Sequence, residues 1–250
     1  MSRWSGYWTS TGASTGLRPG DDAAQESTTW QRGRPAYSRC VRVRFRHMAG
    51  SRWWKDFDAA VAAALPAGAR VLDVGCGDGG LVNRLGEFGF DALGVDPAAP
   101  AHPRLIREPA EQVLRLGVFD AVTAVMALHH AELDAVTAAV TRLLRPHGRL
   151  FVYDFDWDAY DDRSAGWLAK HDPSDADNSV AGWRHEHSDL HTGAAIKEAL
   201  GTRFEPLDEV RRPYLARMLA QDDLEAVEHA LIDEQMLPAL GFWMTAERRR

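Results

Sequence analysis

Residues 71–80 read Val-Leu-Asp-Val-Gly-Cys-Gly-Asp-Gly-Gly, a short apolar run that leads directly into a glycine-rich turn. The apolar run predicts a buried β-strand, and residues 81–88 predict a helix that ends at Gly89. Glycine has no Cβ atom and tolerates a positive φ, so a ligand can approach the backbone of this turn closely. The free N–H groups at the start of the helix are directed toward the same place. The stretch therefore predicts a ligand-binding strand–turn–helix unit.

The alternation of strands and helices continues on both sides of this unit. Strands are predicted at residues 70–74, 91–95, 104–107, 119–126 and 149–155, and helices at 51–65, 81–88, from 110, and at 134–144. Such alternation predicts a Rossmann-like, doubly wound and mostly parallel sheet with helices on both faces. Residues 204–215 are predicted to be extended, 222–240 helical and 242–246 a strand, which indicates an antiparallel C-terminal strand pair. The functional crevice is expected at the carboxyl ends of the parallel strands.

Composition limits the possible functions and partners. The chain has 250 residues and a formal net charge of -7, and an acidic surface disfavours nucleic acid as a main partner. Cys40 and Cys76 form neither a disulfide framework nor a metal-binding spacing. No apolar run is long enough to cross a bilayer, and the N-terminus has no secretion signal. A cytoplasmic protein without a membrane partner is therefore expected, and the composition predicts nothing about its oligomeric state.

The first 47 residues lack any helical or alternating periodicity and are rich in Ser, Thr, Gly and Arg. One interpretation is a disordered extension, because the segment has too few apolar residues to offset the entropy of ordering. Another is that the natural chain starts at Met48. The basic run at 37–47 leaves a third possibility, a short strand or an arm that contacts RNA or a membrane. Residues 48–250 are expected to form a single domain.

Two carboxylates indicate which ligand the glycine turn would bind. Asp96 ends the next predicted strand, about 20 residues beyond the turn, where it could hydrogen-bond both hydroxyls of a ribose. Gly75, Gly77 and Gly80 also fit the G-x-G-x-x-G spacing, so a nicotinamide dinucleotide is an alternative ligand. Asp73, two residues before the first glycine, would repel a pyrophosphate and attract an amine or sulfonium cation.

Several segments together resemble the class I S-adenosylmethionine-dependent methyltransferases of the small-molecule type. Residues 71–79 resemble the first motif of that family, Gly94-Val-Asp96-Pro97 the second, 119–130 the fourth-strand segment, and 143–150 the turn into the fifth strand. The order and spacing agree over about residues 50–155. The resemblance implies S-adenosyl-L-methionine as cofactor and in-line methyl transfer to a small-molecule acceptor as the activity.

The resemblance also implies which residues bind the cofactor: Asp73, Gly75, Gly77, Asp96, Pro97, Glu108, Ala110 and Met126. The first three would hold the methionine part, Asp96 the ribose hydroxyls, and Pro97 would lie near the adenine. Pro109 stands where the family usually has an Asp that contacts the adenine amino group. Glu108 is the expected substitute, and Ala110 would offer its backbone N–H. Met126 would line the site.

The His129-His130 pair follows the fourth predicted strand on the crevice side. Either imidazole could act as a general base if the acceptor must lose a proton, since histidine titrates near neutral pH. The alternative is that they pack against or cap the next helix.

Two later segments are candidates for the acceptor side. Residues 183–191 contain several His residues, but His185 and His187 would point to different faces of a helix, and no third ligand is marked, so no metal site is predicted. A lid or acceptor wall is more consistent with this segment. The acidic and aromatic run at 154–162 is expected to be a solvated loop, or to select the acceptor.

Two other functions stay open at this level. One is a nicotinamide-dependent oxidoreductase that uses the same glycine turn. The other is a non-catalytic S-adenosylmethionine-binding protein, because methyl transfer needs no signature catalytic residue.

Overall fold

A computed structural model describes residues 52–172, 174 and 177–249, and within them one sheet of seven strands forms the centre of the fold. The strands are β1 Arg70–Val74, β2 Asp91–Val95, β3 Leu105–Ile106, β4 Phe119–Val125, β5 Leu144–Phe155, β6 Phe204–Arg212 and β7 Gly241–Arg248. Their order is β3-β2-β1-β4-β5-β7-β6, and β7 is antiparallel to both of its neighbours. The predicted mostly parallel, Rossmann-like sheet with its antiparallel C-terminal pair is confirmed.

Helices connect the strands and cover the sheet. They are α1 Arg52–Ala64, α2 Gly80–Glu87, α3 Leu133–Leu143, α4 Asp162–His171, α5 Val180–His187, α6 Gly193–Gly201, α7 Leu215–Met218 and α8 Asp222–Asp233. None of the helices in the described part of the chain is long and apolar enough to span a membrane. The predictions for residues 1–47 lie outside the described residues.

The period-two alternation of the strands divides the apolar side chains between two cores. In β5, Phe151 and Tyr153 join one core with α1 and α2, whereas Leu150 and Val152 join another with α3 and α6. All four of these side chains are at most 1% exposed. Burial on both faces is what a parallel sheet covered by helices requires. Since the faces of the sheet are covered, the ends of the strands, where polar residues lie, are the part of the sheet that can bind a ligand.

A third core lies apart from these two. We call α4, α5, α7 and α8 the cap, because their buried or partly buried apolar side chains cluster with Phe155 at the carboxyl end of β5. The cap core is formed by Phe155, Tyr160, Trp167, Leu168, Trp183, Tyr214, Leu215, Ala216, Leu237 and Leu240. The chain enters the cap after β5 and again between β6 and β7, so two separate insertions build one apolar cluster.

Two element boundaries differ from the sequence prediction. Strand β5 begins at Leu144, which pairs with Phe119, and residues 145–148 interrupt the ladder before Arg149 pairs with Ala121. Helix α8 ends at Asp233 and not at residue 240. Gln235 adopts a left-handed φ of 59°, which reverses the chain and directs Leu237 and Leu240 into the cap core.

Candidate active site

The glycine turn after β1 lies at the carboxyl edge of the sheet, and its conformation depends on glycine. Gly75, Gly77 and Gly79 have φ values of 74°, 54° and 85°. A Cβ atom on Gly75 would lie 2.3 Å from the Cβ of Ala127, so the turn packs directly on the segment that follows β4. A Cβ atom on Gly77 would meet no heavy atom within 4 Å. The turn is therefore tight on one side and open at Gly77, as a ligand cradle requires.

Asp73 lies beneath this turn and is 3% exposed. It is the register partner of Thr123 on β4, whose Oγ1 donates a hydrogen bond of 2.8 Å to its carboxylate. Burial raises the pKa of Asp73 to about 7, against the lowering effect of the Thr123 hydrogen bond. A cation that binds here would restore the charged form, so the residue suits a ligand with a positively charged end.

Asp96 follows β2, and two backbone amides hold its carboxylate. Gly77 N–H donates to Oδ2 at 3.1 Å, and Ala98 N–H donates to Oδ1 at 2.7 Å. Each carboxylate oxygen has further lone pairs, so both can also accept from a pair of hydroxyls. The turn and the acid are thereby joined into one unit, with Pro97 exposed beside it.

The residues expected near the adenine lie after β3. Ala110 is 4% exposed and begins a single 3₁₀ turn, Ala110–Gln112. Arg115 donates hydrogen bonds of 2.5 and 2.8 Å to the two carboxylate oxygens of Glu108. This hydrogen bonding lowers the pKa of Glu108. The Glu108 carboxylate is thus held by a charged partner in this structure.

Met126 comes directly after β4 with a φ of 53°, which is uncommon for a residue other than glycine. Its N–H donates to the carbonyl of Tyr153 at 2.7 Å, and its half-buried side chain packs against two of the three cores. Backbone strain of this kind concentrates at functional sites. The conformation turns the chain from β4 toward the His129-His130 pair.

His129 forms a buried pair with Asp154, the penultimate residue of β5. The His129 ring is 3% exposed and its Nδ1 lies 2.6 Å from Oδ1 of Asp154, which is 0% exposed. The backbone N–H groups of Leu128 and His129 donate to Oδ2 of the same carboxylate, at 3.0 and 3.3 Å. Because a carboxylate only accepts, the Nδ1 atom carries the proton and Nε2 keeps its lone pair in the neutral ring. This arrangement orients a general base.

A neighbouring imidazole and the segment after α5 contact the turn that holds this base. His130 lies beside His129, with ring centroids 4.1 Å apart. His191 N–H donates to the carbonyl of His129 at 3.0 Å, and its Nε2 donates to the carbonyl of Ala131 at 2.9 Å. The residues just after α5 are therefore fastened to the turn that holds the base.

Comparison with known proteins identifies the family. A family model described as a methyltransferase domain matches residues 45–203. The chain belongs to this methyltransferase domain family. The resemblance to S-adenosylmethionine-dependent methyltransferases predicted from the motifs is confirmed, and the nicotinamide alternative is not favoured.

Individual relatives cover the methyltransferase domain in part. An uncharacterized methyltransferase of Mycobacterium tuberculosis (strain ATCC 25618 / H37Rv) is 37% identical over 120 residues, which are 44% of this chain and 48% of that protein. A ubiquinone biosynthesis O-methyltransferase of Xanthomonas axonopodis pv. citri is 35% identical over 107 residues, 35% of this chain and 43% of that protein. The chain thus spans about half the length of the curated relatives that it matches, or slightly less.

A solved structure shares the fold of the methyltransferase domain at low identity. It is the N-methyltransferase NodS of Bradyrhizobium japonicum WM9 in complex with S-adenosyl-L-homocysteine, with a TM-score of 0.50 and 10% identity. The match covers 82% of this chain and 91% of that one. At this identity the likeness establishes the common fold.

The structure places the predicted site residues of the methyltransferase domain along one edge of the sheet. The residues Asp73, Gly75, Gly77, Asp96, Met126 and His129 lie at the ends of β1, β2 and β4 or directly after them. His185 is exposed and His187 is buried on α5, as expected for two residues on different helix faces. Within the described residues, no group of three or more His, Cys, Asp or Glu could hold a metal ion.

Sequence reasoning missed Asp154 as the partner of His129. Asp154, Asp156 and Tyr160 are buried, so the prediction of a solvated loop at 154–162 is wrong for these residues. One signal was available: a carboxylate that ends the apolar run Leu-Phe-Val-Tyr-Asp-Phe needs a partner, because an unpaired buried charge is costly.

Proposed function

We propose that this methyltransferase domain binds S-adenosyl-L-methionine at the ends of β1, β2 and β4 and transfers its methyl group to a small-molecule acceptor. In the bound cofactor, the sulfonium would supply a methyl group that is already activated for transfer. The fit rests on a buried carboxylate below the turn, an amide-held carboxylate beside it, and open space at Gly77. These groups suit a ribose-bearing ligand with a cationic end.

Individual roles follow from these positions. Asp73 would face the cationic end, the backbone at Gly75 and Gly77 would hold the methionine part, and Asp96 would accept the ribose hydroxyls. Pro97 and the backbone N–H of the buried Ala110 would lie near the adenine, Met126 would line the site, and the Glu108 carboxylate would accept from the adenine amino group. That carboxylate already accepts hydrogen bonds from Arg115, so the contact that we predict for Glu108 requires its remaining lone pairs.

The observation that best supports methyl transfer as the activity is the His129–Asp154 pair. It places an oriented, nearly enclosed imidazole just beyond β4, one strand away from the proposed cofactor turn. Such a base would accept the proton of a hydroxyl as its oxygen attacks the methyl carbon in line with the departing sulfur. His130 is a second candidate at this position.

A small-molecule acceptor is supported by the enclosed, aromatic surroundings of His129 and by one relative named as a ubiquinone biosynthesis O-methyltransferase. The net charge of -7 disfavours a nucleic acid acceptor. A cytoplasmic location stays a prediction from the sequence.

The test measures binding of S-adenosyl-L-homocysteine by titration calorimetry. The substitution Asp96→Ala should weaken binding by about 1–3 kcal/mol, because charge-assisted hydrogen bonds to the ribose are lost. Asp91→Ala is the matched control: Asp91 begins the same strand, at its other end, and forms an exposed ion pair with Arg70.

Absence of binding to the wild-type chain at millimolar ligand would contradict the proposed function. Equal affinity of the Asp96→Ala and Asp91→Ala variants would show instead that the ribose assignment is wrong.

A further inference from the structure

A second buried imidazole, His187, lies in the same aromatic cluster as His129. It belongs to α5 and is 4% exposed. The rings of His129 and His187 both contact Phe155, with centroid distances of 4.8 and 5.7 Å and steep interplanar angles of 89° and 70°. Phe155, the last residue of β5, is thus flanked by two imidazoles that reach it from different parts of the chain.

Both imidazoles are held in the same tautomer. The Nδ1 of His187 lies 2.8 Å from the carbonyl of Trp183, as the Nδ1 of His129 lies 2.6 Å from the carboxylate of Asp154. Each of these oxygens can only accept, so each Nδ1 carries the proton and each Nε2 presents a lone pair. Burial lowers the pKa of His187, which keeps this ring neutral near pH 7.

The two Nε2 atoms are acceptors whose lone pairs no hydrogen bond of the described residues uses. A nearly buried ring nitrogen with an unused lone pair can accept a hydrogen bond from a donor on a bound molecule.

The surroundings of the imidazoles are aromatic. Trp183 stacks on His187 at 4.0 Å, Trp157 is nearly parallel to His187 at 6.3 Å, and Tyr214 stacks on Phe155 at 4.7 Å. Aromatic walls bind flat rings through stacking and apolar contact.

We propose that the methyl acceptor is a planar ring that carries two hydrogen-bond donors, one bound by Nε2 of His129 and methylated, the other bound by Nε2 of His187. This inference rests on the proposed function and names its substrate class. The oxygen of the first hydroxyl forms the bond to the methyl carbon while the carbon–sulfur bond breaks and its electron pair stays on sulfur. The hydroxyl proton passes to Nε2 of His129. His187 takes no part in the bond changes and determines specificity.

The test compares the binding of phenol, which has one donor, with that of catechol, resorcinol and hydroquinone, which have two at different spacings. Calorimetric titrations are run with S-adenosyl-L-homocysteine present. The variant His187→Asn keeps an amide nitrogen near the position of Nδ1, so the bond to the Trp183 carbonyl is retained while the Nε2 acceptor is lost. His185→Asn is the same change at an exposed position of the same helix.

One diol is expected to bind about tenfold more tightly than phenol, both to the wild type and to His185→Asn. In His187→Asn this ratio should fall to about one, with unchanged affinity for S-adenosyl-L-homocysteine. His187→Gln places an amide oxygen near the position of Nε2 and should recover part of the ratio, which a merely structural role of His187 would not produce.

The inference is overturned if no diol binds better than phenol, or if the preference survives in His187→Asn. Both outcomes are compatible with normal binding of S-adenosyl-L-homocysteine and leave the proposed function intact. A wild-type chain that fails to bind S-adenosyl-L-homocysteine contradicts the proposed function, and this inference with it.

Discussion

Asp73 is a buried carboxylate whose ionisation is linked to its surroundings. Its folded pKa of about 7 lies above the ordinary value of 3.8, chiefly because of burial. Ionisation is therefore costlier in the ligand-free fold than in the unfolded chain. The stability that Asp73 contributes is full below about pH 4 and is lost as pH rises through about 7. A cationic ligand beside the carboxylate would reverse this preference.

The affinity for S-adenosyl-L-methionine should consequently rise between pH 5.5 and pH 7.5, by up to about tenfold, as the carboxylate becomes charged. Calorimetry at the two pH values measures this change. Asp73→Asn, which retains an oxygen to accept from Thr123, should bind more weakly at pH 7.5 and show a flatter pH dependence. An Asp73→Asn variant with the pH dependence of the wild type would contradict the assignment of Asp73 to the cationic end.

The role of His129 can be separated from that of its neighbour once an acceptor is found. For a hydroxyl acceptor, His129→Ala should lower kcat by about 10²–10⁴, the usual contribution of a general base, and should remove the acidic limb of the pH–rate profile. Asp154→Asn should lower kcat in the same direction because the tautomer of His129 is no longer fixed. His130→Ala is the matched variant and should have the smaller effect. If both His→Ala variants keep the wild-type kcat and pH profile, neither residue is the base.

At the level of single residues, the sequence could identify the cofactor side better than the acceptor side. Asp73 and Asp96 were predictable because the carboxyl ends of parallel strands meet at one edge, whatever the details of packing. Asp154 and His187 lie in segments that are candidates for the acceptor side, but the pairing of Asp154 with His129 and the contact of His187 with Phe155 were not predictable. Their roles depend on which side chain reaches Phe155, and that contact is decided by the packing of the cap.

The turn between β1 and α2 is an element whose geometry can be tested directly. Gly75→Ala should reduce the free energy of unfolding by more than Gly68→Ala does, although the two glycines have the same φ of 74°. An added Cβ meets Ala127 at position 75 and meets nothing within 4 Å at position 68. The difference in unfolding free energy between the two variants therefore measures only the close approach of residue 75 to Ala127. Overpacking of this kind is expected to cost about 1–3 kcal/mol.

Urea denaturation of both variants checks this prediction, and Ala127→Gly in the Gly75→Ala background should recover part of the loss. Equal destabilisation of the two single variants would mean that the turn relaxes away from Ala127.

Elements with strong periodicity were predictable, and short polar ones were not. Strands β1 and β2 have the predicted bounds, because each is an apolar run closed by turn residues. Helix α4 begins where the predicted loop at 154–162 ends and was not predicted, and α5 overlaps the segment 183–191 that is interpreted as a lid. In α5 only Trp183 and His187 are buried, and two buried positions in eight residues leave too weak a period to recognise.

On the scale of the whole molecule, the sheet follows from a local pattern and the cap does not. The position of each strand–helix repeat in a doubly wound sheet can be predicted from the sequence, since right-handed crossovers allow few other strand arrangements. The cap core joins Trp167 and Trp183 from one insertion with Tyr214 and Leu237 from another. No periodicity in either insertion reveals that the two will share an apolar cluster.

The two hydrogen bonds of His191 connect a segment outside the sheet to the turn that holds the proposed base. They fasten the segment after α5 to the carbonyls of His129 and Ala131. If this segment must swing away to free the methylated product, His129 loses part of its support in the same movement. We therefore expect the position of this segment to affect whether His129 is aligned as a base.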